Sequence, residues 1–196
     1  MRSHFAFLLL VLFALPQLGN AQPLCVEKDN LHNAVLVSIA EKAETPRIAI
    51  WDKSISANEL VERKVQGHWP KGQFSKSMSG VSLDMEMELL YVSQRPPYNI
   101  FADEYIWAPP AGVEFLGVVG AASIPNIKGV TVIKLSRVGF NDRQSKGLVY
   151  AETFVTGYEQ SGGYAFLFER SRNAWCLKNQ VPLWHGGKPL WLDNDD

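Results

Sequence analysis

The last third of the chain constrains the fold most, because it alternates β-forming runs with gaps too short to hold a helix. Residues 129–140, 147–156, 163–169 and 174–184 are rich in aliphatic and aromatic side chains. Turn formers separate them: Asn141-Asp142, Gly157 with Ser161-Gly162, and Ser171-Arg172-Asn173. Parallel pairing needs a crossover of a dozen or more residues, so the four runs are expected to pair antiparallel in sequence order, as a meander. In the second run Leu148, Tyr150 and Phe154 alternate with Val149, Ala151 and Val155, which makes both faces largely apolar. A strand of that kind is covered on both sides or curls around a core.

The earlier residues read as helices joined by shorter pieces. Asp29 or Asn30 can cap a helix running to about Ala43, with Leu31, Ala34, Val35, Ser38, Ile39 and Lys42 at helical spacing. Pro46 ends it, Arg47–Trp51 reads as a strand, and Ser56 caps a second helix from Ala57 to Val65. Residues 66–80, with Gly67, Pro70, Gly72 and Gly80, form a loop. A third helix spans Leu83 to Gln94, with acidic residues at its positive end, and Pro96-Pro97 stops it. From Tyr98 to Asn126 the pattern is a loop, then a strand over Val113–Val119. The expected architecture is α+β: a single domain over residues 22–192, with N-terminal helices packed on one face of a bent C-terminal antiparallel β-meander.

The first residues bear on compartment. Arg2, the apolar run Phe5–Leu15, Pro16 and the small residues of Gly19-Asn20-Ala21 have the layout of a secretory signal peptide, cleaved after Ala21. The run is too short to span a bilayer comfortably, and Gln22-Pro23-Leu24-Cys25 lacks the small residues a lipoprotein places before its cysteine. The mature chain is therefore expected in the periplasm or medium, without membrane insertion. In an oxidising compartment Cys25 and Cys176 most simply form a disulfide; a redox or metal pair would need CxxC spacing or clustered ligands. The net charge of −1 gives no electrostatic reason to expect nucleic acid or an anionic membrane as partner. Asp193-Asn194-Asp195-Asp196 reads as a disordered acidic tail.

The stretch Leu135-Ser136-Arg137-Val138-Gly139-Phe140-Asn141, followed by Gly147-Leu148-Val149-Tyr150, by Gly162-Gly163-Tyr164-Ala165-Phe166-Leu167-Phe168-Glu169 and by Trp175, resembles a group of exported bacterial proteins of unsettled function. These share a Ser-Arg-Val-Gly-Phe strand, a meander with a glycine-rich turn and a late tryptophan. The resemblance covers about 50 residues and implies an extracytoplasmic bacterial protein with a C-terminal meander. It carries over no catalytic residue, and the turn Thr156–Gly163 has no cysteine to staple it.

Candidate sites are few. His32, His68 and His185 are far apart in sequence, and no pair has the spacing that binds a metal from one helix, so no metal or cofactor is expected. His32 reads as a surface or packing residue near a helix start. His68, between Gly67 and Trp69, is either a solvated loop residue or an acid–base group. His185 is either a residue just past a strand or a base oriented by Glu152 or Glu159. Neither Ser79-Gly80 nor Ser161-Gly162 sits in a nucleophile elbow. Trp69, Tyr98, Tyr105 and Trp107, beside Pro96-Pro97 and Pro109-Pro110, either line a binding groove or close the rim of the core. Trp51, Trp175 and Trp184 belong to strands and read as core. With no catalytic set in view, the first expectation is a non-catalytic binding or protein-interaction module of the bacterial envelope, taking a protein, peptide or glycan. The alternatives are a hydrolase acting on an envelope polymer or peptide and a structural component of an envelope assembly.

Overall fold

The computed structural model describes residues 24–27, 31–43, 45–69, 74, 78–95, 111–123, 126–186 and 188–189. The signal-like residues 1–21, the caps Asp29 and Asn30, the aromatic residues Tyr98, Tyr105 and Trp107, and the tail 193–196 lie outside them. The described helices are α1 (Leu31–Ala40), α2 (Ala57–Val65) and α3 (Leu83–Ser93). The strands are β1 (Cys25–Val26), β2 (Arg47–Trp51), β3 (Glu114–Val119), β4 (Thr131–Phe140), β5 (Lys146–Val155), β6 (Ser161–Ser171), β7 (Ala174–His185) and β8 (Lys188–Pro189). All belong to one sheet in the order β1-β7-β6-β5-β4-β2-β3, with β8 also paired to β7.

The fold is α+β, and its sheet is mixed. β4 to β7 pair antiparallel with their sequence neighbours. β2, however, runs parallel to both β4 and β3, which corrects the expectation of an antiparallel sheet. Short turns forbid crossovers only among the last four strands. Between β2 and β3 the chain has residues 52–113, including α2 and α3, which is ample for a parallel crossover.

The helices are not all on one face, which is a second correction. On one face α1 buries Leu31, Val35, Leu36 and Ile39 among Ile48, Ile133, Leu135, Val149, Ala151, Phe166 and Phe168. On the other, Leu60 of α2 and Met85 and Leu89 of α3 join Trp69, Phe74 and Met78 over Leu148, Tyr150, Ala165, Leu167 and Trp184. The two sets alternate residue by residue along β5 and β6. Strands apolar on both faces must be covered on both, and three helices on one side would have left half of that surface in water.

Local chemistry accounts for the joints. Ser56 caps α2 with a reciprocal capping box: its Oγ accepts from Glu59 N–H at 3.3 Å, and its own N–H donates to Glu59 Oε2 at 2.8 Å. Glu59 also pairs with Lys134 of β4, pinning that helix end to the sheet. In β4 the register with β5 shifts between Leu135 and Val138, a bulge at Ser136-Arg137. Ser136 Oγ accepts from Tyr150 N–H at 2.8 Å, and its carbonyl accepts from His32 Nε2 at 2.9 Å. Burial lowers the His32 pKa, against the pull of that carbonyl, so the ring packs neutral with its proton on Nε2. Gly139 lies directly under α3; a Cβ there would come within 2.5 Å of Met85 O. Cys25 and Cys176 face each other across β1 and β7 and are disulfide-bonded, closing a loop with a sequence separation of 151. In the chain-entropy picture a loop of that size is worth about 5 kcal/mol. Among the described residues no helix is long and apolar enough to cross a membrane.

Candidate functional site

Successive residues of a strand face opposite ways, so the far ends of β5, β6 and β7 present two polar constellations back to back. Glu152, Gly163 and Trp184 form one rung across the three strands, and Thr153, Gly162 and His185 form the next. The first rung faces α2 and the second faces α1.

On the α2 face the Trp184 indole lies over Gly163, where a Cβ would be 1.9 Å from Nε1. That nitrogen donates to the Tyr150 hydroxyl at 2.9 Å, and the hydroxyl donates to Glu152 Oε1 at 3.0 Å. Arg63 of α2 grips the same carboxylate with two donors, Nε to Oε1 at 2.6 Å and Nη2 to Oε2 at 3.2 Å. Its guanidinium also sits 5.6 Å from the centre of the Trp184 ring. The His68 imidazole stacks on the Trp184 ring, 4.7 Å between centroids with 19° between the planes. Burial and then the Glu152 charge push the Tyr150 phenol far up, so it acts as a donor at any ordinary pH. The bond to Glu152 raises Arg63 in turn. Both carboxylate oxygens accept from protein donors. Chemically this is an anchor that ties α2 to the sheet, with three protein donors on the carboxylate's roughly four lone-pair sites.

The candidates from the sequence fall as follows. His68 and Glu152 belong to this one cluster, joined through Trp184. His68 is buried, not solvated, because the chain after α2 folds back onto β7. Trp69 is 1 % exposed, packed 4.2 Å from Phe74 and 6.4 Å from Tyr150, so it presents no ring to a ligand. His185 is exposed on the opposite face from Glu152, which removes the His185–Glu152 base pairing: adjacent rungs of a sheet point away from each other. Nor does Glu159 bond His185. Tyr98, Tyr105 and Trp107 lie outside the described residues.

On the α1 face the helix ends before the sheet does, and a pocket of about 140 Å³ opens between them. Ile39, Ala43 and Val155 give it an apolar wall. Lys42, Thr153, Tyr164, Gln180 and His185 give it a polar one, completed by Thr131, Gln160 and Ser161. Gln180 Oε1 accepts from Ser38 Oγ and from Lys42 Nζ, both at 2.7 Å. An ammonium can only donate, which fixes the amide with its oxygen toward Lys42 and leaves the two Nε2 protons for another acceptor. Gly162 makes room for the Tyr164 hydroxyl, which lies 3.3 Å from where a Cβ would be. No carboxylate is among the described residues that line the pocket.

Lys42, Tyr164 and Gln180 carry no motif, and their one signal is faint: polar side chains of a single parity near the ends of otherwise apolar strands. Among the described residues no three His, Cys, Asp or Glu side chains converge as a metal set. Comparison with protein-family models, curated proteins and solved structures finds no match for this chain.

Proposed function

We propose that this protein is an exported, non-catalytic binding module of the bacterial envelope, and that the pocket beneath the end of α1 is its capture site. The observation that carries the reading is the contrast in hydrogen-bond use. The Glu152 cluster spends its acceptors on Arg63 and Tyr150, whereas the pocket leaves donors of Gln180 and Lys42 facing open space. An apolar wall beside a few convergent polar groups is the usual make-up of a small-molecule site. Its volume lies below the ~300 Å³ at which drug-sized sites begin, so the ligand is small. Export is supported by the signal-like residues 1–21, by the Cys25–Cys176 disulfide and by the resemblance to exported bacterial proteins.

The test is native mass spectrometry of the protein recovered gently from the envelope fraction and medium of its own cells. A species cleaved after Ala21, lighter by the hydrogens of an oxidised cysteine pair and carrying a stoichiometric small molecule, is the expected result. Filling the pocket with Tyr164→Trp should strip that molecule while the fold remains. A bare protein, or a ligand retained by the filled variant, overturns the assignment of the site.

A further inference from the structure

Resting on that reading, we infer that the pocket selects a small carboxylate that also carries hydroxyl groups, such as a sugar acid or a short hydroxy acid, with Lys42 and Gln180 as the residues that read its charge. Charge comes first. The ion pairs described in the protein join Arg47 to Glu114, Arg63 to Glu152, Lys134 to Glu59, and Lys146 and Lys178 to Glu169. Lys42 instead holds the neutral amide of Gln180 at 2.7 Å. Its positive charge is thus positioned by a neutral partner, at the rim of a pocket whose described lining residues include no carboxylate. An anion entering there meets a held ammonium and, among the described residues, no competing carboxylate.

Shape comes second. Lys42 Nζ and Gln180 Nε2 are donors on the two sides of one fixed oxygen, and a carboxylate offers two acceptors. The hydroxyls of Thr153 and Tyr164 can serve either as donors or acceptors, which suits ligand hydroxyls. Ile39 and Val155 supply the apolar surface for a short carbon skeleton. Gln180 is the residue where selectivity can be reversed by a single atom. Glutamate in its place would neutralise Lys42 and confront an anion with a second carboxylate, at nearly unchanged volume.

The experiment is an amide NMR titration of the mature, disulfide-bonded protein with two matched pairs, glucuronate against glucose and lactate against lactamide, and with inorganic phosphate. The expected result is that shifts centred on Ile39, Thr153, Tyr164 and Gln180 appear with one or both carboxylates, whose relative affinity separates a sugar acid from a hydroxy acid. The neutral partner should bind at least about tenfold more weakly, the effect of one lost charge-assisted contact. Gln180→Glu should abolish carboxylate binding, and the exposed Lys42→Gln, which cannot threaten the fold, should weaken it by about tenfold or more. Equal binding of neutral and charged partners overturns the charge selectivity and leaves the capture site standing. Phosphate binding as tightly as the carboxylates reduces the site to a general anion site and overturns the carboxylate assignment. Silence of the pocket amides toward every probe overturns this inference, and the native mass spectrum then decides separately whether the capture site itself survives.

Discussion

On the α2 face of β5–β7, Trp184, Tyr150, Glu152 and Arg63 close a chain of hydrogen bonds over Gly163. On the α1 face, one rung further along the same strands, His185, Thr153, Tyr164 and Gln180 surround a space. The two constellations contain the same kinds of group: a histidine, a tyrosine, a long cation and a side-chain acceptor. They differ in whether the donors and acceptors are used up. A buried carboxylate costs several kcal/mol unless paired, so Glu152 had to be paired to sit on the first face at all. The second stays partly open to water, which satisfies what the protein leaves free. A list of polar residues therefore does not locate a site; the accounting of each hydrogen atom and lone pair does.

The comparison can be broken most forcefully at the paired glycines. Gly163→Ala places a methyl 1.9 Å from Trp184 Nε1 and 2.6 Å from two further indole atoms. The ring is buried and stacked with His68, which resists sliding, so its bond to Tyr150 must break or β6 must move. Overpacking and a stranded buried donor together should cost about 3–4 kcal/mol in urea unfolding, with a change in tryptophan emission in the folded baseline. A loss below about 1 kcal/mol would mean the face is not packed as rigidly as described.

Glu152→Gln comes next. The amide keeps an acceptor for Tyr150 but removes the charge that Arg63 grips with two donors. Arg63 is partly exposed and can turn toward water, so the expected loss is about 2 kcal/mol, below the 3–5 kcal/mol of a fully buried pair. A double-mutant cycle with Arg63→Met checks it. Coupling near zero would reduce the anchor to ordinary packing.

How far the sequence foretold this arrangement differs between its levels. The cap at Ser56, the helical spans and the four C-terminal runs depend on neighbours within a few residues, and they are read without a structure. The parallel seat of β2 depends on Ile48 meeting Thr131 on one side and Phe115 on the other, a pairing across more than 60 residues that no local pattern encodes. The Ser-Arg-Val-Gly-Phe stretch turns out to be architectural: Ser136-Arg137 is the bulge, Gly139 seats α3, and Phe140 packs 5.2 Å from Trp175. His68 and Trp69 look like loop residues because glycine and proline surround them, but burial depends on where the loop lands, and it lands on β5 and β7. The pocket was invisible for a related reason. Its residues come from one helix end and four strands, and the space exists only because α1 stops short of the sheet it covers.

The smallest effect is the most discriminating. Gly162→Ala is the same substitution one residue earlier, facing the pocket, where the new methyl meets Trp184 O and the Tyr164 hydroxyl, each at 3.3 Å. Those contacts are tight and need a shift of a few tenths of an ångström, far less than at Gly163, and alanine also restricts the unfolded chain, which by itself stabilises by roughly 0.4–1 kcal/mol where the native backbone suits it. The net change should fall within about 1 kcal/mol of zero, against a loss several times larger at Gly163. The methyl does press on the Tyr164 hydroxyl, so whatever the pocket binds should weaken by more than stability changes. Two adjacent alanines, one felt in unfolding and the other in binding, would establish that a single strand separates an anchor from a receptor. Equal destabilisation by both would show that the α1 face is packed as tightly as the α2 face, and that the space beneath the helix is a seam in the core.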